Sequence, residues 1–271
     1  MMEKALLSLS FDDARGDNTE IFDELLWPMG IPATLNVTTG YVDGTCPGSM
    51  KPSDKPAMLI DDIIRFGTEK RYGRDVNFEI ALHGDQHQNT EEDIIICREK
   101  LIKWLNLPEN HVFGFASPGS GLLIDEFRRT ESKLFTEQIS YVRTSLRVID
   151  YEMIRVLYRK IGRVWHRPFF YQRAYANTLM KECRDRVIYS VPVMKDVTEQ
   201  QVEALIDLAI EERAALTLMF HSVAVSKRDD DNWTWSLEKF RRLCNYIMTL
   251  KAGGAPFETC TTQKLYERIK S

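Results

Sequence analysis

The sequence has little that points to membranes or nucleic acids. No apolar run in its 271 residues approaches the roughly 18 needed to span a bilayer. The 36 lysine and arginine residues form no basic cluster and are outweighed by 40 aspartate and glutamate residues, for a formal net charge of -4. The first residues run directly into an apolar segment, which leaves no room for a signal peptide. We therefore expect a cytoplasmic protein with no nucleic-acid partner and no membrane partner.

Cysteine is also scarce. The five cysteines are widely spaced and form no Cys-x-x-Cys pair, which argues against a zinc knuckle or a redox motif. No short repeat is visible, so a solenoid is not indicated. With 44% hydrophobic residues, a chain of this length can bury a full core, and we predict a single domain over residues 1–271. The sequence does not set the oligomeric state, and a homo-oligomer is compatible with it.

Strand-like apolar runs alternate with amphipathic helical patterns along most of the chain. Thr90 and Thr198 each begin a helical pattern with a capping-box-like sequence. This alternation is typical of a parallel sheet or barrel with helices on the outside. The segment around residues 144–173 is rich in arginine and aromatic residues and lacks the alternation. We predict that it is an irregular segment bordering the site.

Three of the apolar runs end at residues that can bind a metal or move a proton. Residues 5–11 lead into Asp12 and Asp13, residues 78–82 lead into His83, and residues 216–220 lead into His221. In α/β proteins, ligands bind at the carboxyl ends of parallel strands. We therefore expect these side chains to meet at one site.

The spacing of two histidines favours a metal ion at this site. His83 and His87 are four residues apart, so a helical turn would place both imidazoles on one side. Asp13 would supply a third ligand, and this set leaves positions open for water and substrate. We predict one divalent metal ion, with zinc as first choice and cobalt, nickel, manganese or iron as alternatives. Such an ion suits the hydrolysis of an amide or an ester.

The motifs that contain these residues resemble those of the NodB-like polysaccharide deacetylases, carbohydrate esterase family 4. Ser-Phe-Asp-Asp at residues 10–13 is similar to the family's Thr-Phe-Asp-Asp-Gly. His-Gly-Asp-Gln-His at residues 83–87 is similar to its His-Ser/Thr-x-x-His, and Leu-Met-Phe-His at residues 218–221 to its Leu-x-x-His. The motifs occur in the family's order. The resemblance implies a distorted (β/α) barrel over nearly the whole chain.

The resemblance also implies roles for individual residues. Asp12 would be the general base that takes a proton from the attacking water, and His221 the general acid that protonates the leaving amine. Asp13, His83 and His87 would hold the metal. Two adjacent carboxylates beside a cation can divide ligation and proton transfer between them, and a histidine titrating near neutrality can donate to nitrogen.

The sequence departs from the family pattern at several points. The third motif, usually Arg-x-Pro-Tyr/Phe, is Ala-Ser-Pro-Gly at residues 116–119 and keeps only Pro118. The arginine that would orient the base is missing, and Arg143 is a candidate to supply its charge. Gly84 replaces the hydroxyl residue of the second motif. No clear fourth motif is present, so the usual chitin or peptidoglycan substrate does not follow from the resemblance.

Five residues are predicted to contact the substrate. Leu218 would wall the pocket for the acetyl methyl group, and a backbone N–H near Gly40 or Tyr41 would bind the oxyanion. A tryptophan in the segment after His221 would form a stacking rim. The predicted substrate-binding set is Leu218, Tyr41, Pro118, Arg143 and Trp235.

Three functions are compatible with these residues. The first is a metal-dependent hydrolase that removes an N-acetyl or other N-acyl group from a sugar derivative, with a small molecule or an oligosaccharide as substrate. The second is a hydrolase of another non-peptide C–N bond, such as a cyclic amide or ureide. The third is an inactive carbohydrate-binding protein on the same fold.

Overall fold

A closed barrel of parallel strands forms the centre of the molecule. The computed structural model describes residues 2–46, 56–69, 78–120, 132–145, 153–225 and 232–271. The seven barrel strands are β1 (Ala5–Phe11), β2 (Thr34–Val37), β3 (Glu79–Leu82), β4 (Phe113–Ala116), β5 (Ile139–Ser145), β6 (Val187–Pro192) and β7 (Ala215–Phe220). They pair in chain order, and β7 closes the barrel by pairing with β1 from Leu6↔Ala215 to Phe11↔Phe220.

Helices and short strands surround this barrel. The helices are α1 (residues 19–29), α2 (Thr39–Val42), α3 (Ile60–Thr68), α4 (Glu91–Leu105), α5 (Met153–Trp165), α6 (Pro168–Tyr175), α7 (Glu199–Glu212), α8 (Leu237–Ala252) and α9 (Thr262–Ile269). Two short strands, β8 (Ser222–Ala224) and β9 (Thr234–Ser236), pair with each other, and β10 (Phe257–Thr259) pairs with the start of β1. The fold is a (β/α) barrel, and the fold class predicted from the sequence is confirmed. The single domain stays a prediction.

The period-two alternation of β1 separates the apolar core from a polar barrel interior. On one face, the Phe11 ring packs against Phe22 of α1 and Phe240 of α8, at centroid distances of 5.1 and 5.8 Å. On the other face, the Ser8 hydroxyl bonds the Thr262 hydroxyl (2.9 Å), and the Ser10 hydroxyl accepts from Asn36 Nδ2 (2.7 Å). The barrel interior is therefore lined by polar side chains that continue towards the strand ends.

Tyr141 of β5 crosses the interior at the amino end of the barrel. Its hydroxyl donates to the Glu79 carboxylate (2.7 Å). A Cβ atom at Gly114 would lie 2.3 Å from the Tyr141 ring, so only glycine admits the ring at this position. Arg143, two residues further along β5, shares this inward face and lies nearer the carboxyl end.

The segment around residues 144–173 differs from the prediction of irregular structure. Residues 146–152 lie outside the described part of the chain, but α5 and α6 account for most of the rest. The helical pattern was missed because several apolar side chains of α5 face solvent, among them Met153 (89% exposed) and Val164 (73%). In the described part of the chain, no helix combines the length and the apolar character that a bilayer span needs.

Candidate active site

Asp12 and Asp13 follow β1 at the carboxyl end of the barrel, and both side chains are buried. Asp13 has a φ of 74°, in the left-handed region that non-glycine residues rarely adopt. Ala14, with a φ of 52°, continues this turn. The strained turn separates the two adjacent carboxylates, so that each has its own set of partners.

His83 follows β3 and presents one ring nitrogen to Asp13. Its Nδ1–H donates to the Ala116 carbonyl oxygen (2.8 Å), which leaves the lone pair of Nε2 available. That Nε2 lies 3.4 Å from Asp13 Oδ1 and 3.9 Å from Asp12 Oδ2. Burial lowers the pKa of His83, but the carboxylates of Asp12 and Asp13 outweigh it and raise the pKa above its ordinary value.

His87 completes a set of three residues that fits a metal ion. Its Nε2 lies 3.5 Å from Asp13 Oδ1, and single ligand atoms of Asp13, His83 and His87 lie within 4.8 Å of one another. Asp13 Oδ1 and His83 Nε2 are both buried, and neither has a hydrogen-bond partner among the described residues. Buried polar atoms without partners are rare and costly, and a divalent cation between these atoms would satisfy both. The residues present therefore fit the predicted metal.

The two histidines do not converge through a helical turn, contrary to the prediction. Residues 83–87 form a loop in which Gly84 has a φ of 79° and His87 a φ of 57°. The Asp93 carboxylate of α4 holds this loop, because it accepts from the N–H groups of Gln86 (2.6 Å) and Gln88 (2.9 Å). A Cβ atom at Gly84 would lie 2.3 Å from Asp93 Oδ2. Glycine at this position therefore makes room for the Asp93 carboxylate, which supports the loop.

Asp12 is held by a buried arginine and an asparagine. Arg143 Nη2 lies 2.6 Å from Oδ1 and 2.7 Å from Oδ2, and Asn36 Nδ2 donates to Oδ1 (2.8 Å). Burial raises the pKa of Asp12, but Arg143, followed by His83 and His221, brings it below its ordinary value. Asp12 is therefore ionised at neutral pH. Arg143, the candidate for this charge in the sequence, places its guanidinium on Asp12. Its assignment to substrate binding is wrong, because its side chain is 2% exposed and bonded to Asp12 and Ser190.

Asp13 is tied to Arg15, a residue that the sequence reasoning missed. Arg15 Nε donates to Asp13 Oδ2 (3.0 Å), and Nη1 donates to the Ser222 hydroxyl (3.2 Å). Burial raises the pKa of Asp13, but the adjacent His83 imidazole and the nearby charges, Arg15 among them, hold it well below its ordinary value. Arg15 occupies Oδ2 and leaves Oδ1 facing the two histidines. Its position two residues after the Asp12–Asp13 pair is the sequence signal that could have identified it.

His221 follows β7 and lies partly buried beside Trp233. Their ring centroids are 4.4 Å apart. Burial lowers the pKa of His221 to about 4, although Asp13 and Asp12 act to raise it. Asn18, also missed from the sequence, donates from Nδ2 to the His221 carbonyl oxygen and accepts from the Val223 N–H (3.1 Å). His221 therefore sits neutral at pH 7 on a turn that Asn18 fixes.

Tyr41 lies at the edge of the site, but its backbone is not an oxyanion donor. The Tyr41 ring is partly buried and stacks on His87 at a centroid distance of 6.0 Å. The Tyr41 N–H donates to the Thr38 carbonyl oxygen (3.1 Å), and the Gly40 N–H donates to the Asp85 carbonyl oxygen (2.9 Å). Both backbone donors suggested for the oxyanion are thus occupied, while the Tyr41 side chain remains in place to contact a substrate.

The other predicted substrate contacts have mixed outcomes. Leu218 and Trp235 are each 0% exposed, so neither offers surface to a substrate. The Trp235 Nε1–H donates to the Val197 carbonyl oxygen (2.8 Å), and its ring packs in the apolar core, so the predicted rim position is wrong. Trp233 is the tryptophan beside His221. Pro118 is held near the site, because its carbonyl oxygen accepts from Asn89 Nδ2 (3.0 Å).

Fold and site together define a (β/α) barrel with a candidate mononuclear metal centre at its carboxyl end. No family model matches the chain, and no curated protein matches it. A family 4 acetyl xylan esterase from Clostridium thermocellum, solved with a cobalt ion, is similar in structure, with 15% identity, a TM-score of 0.46 and coverage of 97% of this chain and 91% of that chain.

Two further solved structures are similar over most of the chain. The catalytic domain of a peptidoglycan N-acetylglucosamine deacetylase from Eubacterium rectale has 14% identity and a TM-score of 0.43, over 96% of this chain and 90% of that chain. A mutant of a CE4-family pseudoenzyme with restored activity has 11% identity and a TM-score of 0.47, over 100% and 70%. At such identities, nothing about the chemistry of these proteins transfers to this chain.

Proposed function

We propose that the protein is a metal-dependent hydrolase that removes an N-acetyl or other N-acyl group from a sugar derivative. One observation carries this proposal: Asp13 Oδ1 and His83 Nε2 are buried, 3.4 Å apart, and without a hydrogen bond in the described structure, with His87 Nε2 alongside. When bound there, a divalent ion such as zinc lowers the pKa of a coordinated water and polarises the acyl carbonyl group.

Two of the three ligands are held by hydrogen-bond partners that direct their binding atoms at the site. His83 is oriented by the Ala116 carbonyl oxygen, and Asp13 by Arg15. One carboxylate and two imidazoles form a set that leaves room for water and substrate. This support by neighbouring hydrogen bonds is what tunes ligands in catalytic metal sites.

Asp12 serves as the general base in this proposal. Its Oδ1 accepts from both Arg143 and Asn36, whereas Oδ2 accepts from Arg143 alone and faces His83. Oδ2 is therefore the oxygen that takes the proton from the attacking water. Arg143 keeps the carboxylate ionised and fixed in orientation, which is the form that a base needs.

His221 serves as the proton donor to the leaving amine. Its pKa of about 4 makes it neutral at pH 7, so it holds no proton to give at rest. It acts as an acid only after it takes up a proton, which Asp12 passes on once it has removed it from the attacking water. The carboxylates of Asp12 and Asp13 raise its pKa, so they stabilise the imidazolium that forms during the reaction.

The first experiment measures metal bound by the purified, untagged protein, with His83→Ala as the test variant. His166→Ala is the matched control, because His166 is exposed and lies on the connection between α5 and α6. We expect close to one metal ion per chain in the wild type and in His166→Ala, and loss in His83→Ala. Absence of metal from all three proteins after reconstitution would remove the hydrolase proposal.

Turnover is then tested with N-acetylated sugars by measuring acetate release. We expect Asp12→Asn to retain metal and to lose about 10²–10⁴-fold in rate. A ring-opened product without acetate would identify a cyclic amide or ureide as the substrate instead. A metal-loaded protein that turns over neither class would support the inactive binding protein.

A further inference from the structure

Helix α5 presents an apolar surface to solvent. Met153, Leu157 and Val164 fall on one side of the helix, since they are separated by four and seven residues. Their exposed fractions are 89%, 53% and 73%, and Trp165 beside them is 63% exposed. Scattered exposed apolar residues are normal in proteins, but a contiguous exposed row on one helix marks an interaction surface.

The cationic side of the same helix packs against the protein. Arg155 Nη1 donates to the Arg173 carbonyl oxygen (3.2 Å), and Arg163 Nε lies 3.4 Å from Asp196 Oδ2. The carbonyl oxygen of Gly162, the buried residue of α5, accepts from Gln201 Nε2 (2.8 Å). These contacts fix the orientation of α5, so the outward direction of its apolar side is set by the fold.

Positive charge surrounds this surface. Residues 153–181 contain no aspartate or glutamate, although the whole chain has a net charge of -4. Lys160 and Arg167 are exposed beside the apolar row, and the Arg173 guanidinium lies 5.3 Å from the centroid of the exposed Phe169 ring. The cations of the segment are Arg155, Arg159, Lys160, Arg163, Arg167, Arg173 and Lys181; of these, Arg163 pairs with Asp196 and Lys181 with Glu212.

The surface lies on the same side of the barrel as the candidate site. Tyr171 of α6 donates its hydroxyl proton to the Pro192 carbonyl oxygen at the carboxyl end of β6 (3.3 Å). Arg163 contacts Met194 and Asp196, which follow that strand end. A partner that binds α5 would therefore sit near the end of the barrel where Asp13 and His83 meet.

We propose that α5 and the start of α6 bind the surface of an anionic lipid bilayer. A helix with a continuous apolar side that includes a tryptophan, with lysine and arginine alongside, is the type that lies in the membrane interface. Each cation near an anionic surface strengthens binding. A second copy of the chain fits less well, because a two-fold contact would bring two patches of the same charge together. The proposal revises the expectation of no membrane partner, and it does not depend on the proposed hydrolase activity.

The test is co-sedimentation of the full chain with vesicles of phosphatidylcholine alone and of phosphatidylcholine mixed with phosphatidylglycerol. We expect binding to the anionic vesicles, weakened by salt, and little binding to the neutral ones. Leu157→Asp combined with Val164→Asp should abolish it. Lys160→Glu combined with Arg167→Glu should reduce it by on the order of fivefold or more for each cation lost.

Two surface variants away from α5 serve as matched controls. Val112→Asp places the same charge at a residue 45% exposed before β4, and Arg184→Glu reverses a cation whose side chain is 73% exposed. Both should bind vesicles as the wild type does. Binding that is absent, that ignores lipid charge, or that survives both α5 variants would overturn the proposal. So would concentration-dependent self-association, lost in the α5 aspartate variant, without any vesicle binding.

Discussion

Each end of the barrel holds carboxylates in a polar interior, but their surroundings differ. At the amino end, the Glu79 carboxylate accepts from the Tyr141 hydroxyl (2.7 Å), the Thr34 hydroxyl (2.8 Å) and the Gln263 N–H (2.9 Å). At the carboxyl end, Asp13 Oδ1 and His83 Nε2 face each other with no hydrogen bond in the described structure.

This difference separates a structural polar cluster from a functional one. The hydrogen bonds to Glu79 join distant segments of the barrel and leave neither of its oxygens without a partner, so this carboxylate needs no ligand. Buried acceptors that face each other cost stability in the absence of a cation, and a protein retains them where a ligand uses them. Substitution of Glu79 at the amino end should therefore lower stability without changing metal affinity. Substitution of a metal ligand at the carboxyl end should lower metal affinity with little change in stability.

The largest effect on stability should come from Arg143→Met. The variant leaves Asp12 buried without its counter-ion, and we expect a loss of about 3–5 kcal/mol in the free energy of unfolding. Chemical denaturation of the wild type and the variant measures this difference in unfolding free energy. Lys181→Met is the control, because the Lys181–Glu212 pair is largely exposed and is worth no more than about 1 kcal/mol.

The pH dependence of the free energy of unfolding tests whether the loss in Arg143→Met comes from the unpaired charge of Asp12. In the wild type, the lowered pKa of Asp12 contributes stability above the unfolded value of 3.8, and this is lost as the pH falls through the folded value. In Arg143→Met, burial acts without Arg143, so the pKa of Asp12 rises. The deficit should then shrink as the pH is lowered and Asp12 takes up a proton. A deficit independent of pH would mean that Arg143 acts by packing alone.

His87→Ala should have the largest effect on metal affinity with little effect on stability. The His87 side chain is 33% exposed, and its loss removes one of the three ligands. We expect metal affinity to fall by more than about 100-fold, beyond the effect of removing a supporting residue. Isothermal titration with zinc or cobalt measures the affinity. The metal-free variant should unfold within about 0.5 kcal/mol of the wild type, because His87 is partly exposed and lies outside the apolar core. Unchanged affinity would remove His87 from the ligand set.

Gly84→Ala should perturb the loop that carries both histidines. Gly84 has a φ of 79°, and a Cβ atom there would meet Asp93 Oδ2 at 2.3 Å. Gly254→Ala is the matched control, since Gly254 has a φ of 72° with no atom within 4 Å of an added Cβ. The control should lose about 1–2 kcal/mol from backbone strain alone, and Gly84→Ala should lose more.

The coupling between Gly84 and Asp93 separates steric conflict from general strain. We expect metal binding to be about 10–100-fold weaker in Gly84→Ala and unchanged in Gly254→Ala. Combining Gly84→Ala with Asp93→Ala should cost less than the sum of the single variants, because the conflicting carboxylate is gone. Additive losses would show that the carboxylate is not what requires glycine at this position.

Much of the barrel and part of the site followed from the sequence, for identifiable reasons. Strands such as β1 and β7 were visible because each is a short, mostly apolar run that ends at a charged residue or a histidine. Asp12, Asp13, His83 and His221 were found because each follows such a run. Their roles in catalysis and metal binding stay predictions.

The supporting residues could not be predicted because they depend on contacts between distant segments. Asn36 reaches Asp12 from the next strand, and Asn18 bridges the turn at His221 across about 200 positions of sequence. The choice of Trp235 as the tryptophan at the site was also wrong, since Trp233 and Trp235 are two positions apart and an alternating strand pattern cannot tell them apart. Only the local turn places Trp233 on His221.

Glu79→Gln should give the smallest effect, and it tests the amino end of the barrel. Glutamine keeps one acceptor oxygen but presents an NH₂ group to donors such as the Tyr141 hydroxyl, so we expect a loss of about 1–2 kcal/mol at pH 7. Metal affinity should not change. Burial raises the pKa of Glu79 despite its hydrogen-bond donors, so the folded state binds the proton more tightly than the unfolded state. The stability linked to this group is then greatest below the unfolded pKa and declines as the pH rises through the folded one. Glu79→Gln should remove this decline in unfolding curves recorded from pH 4 upwards, and a decline that persists would assign it to another carboxylate.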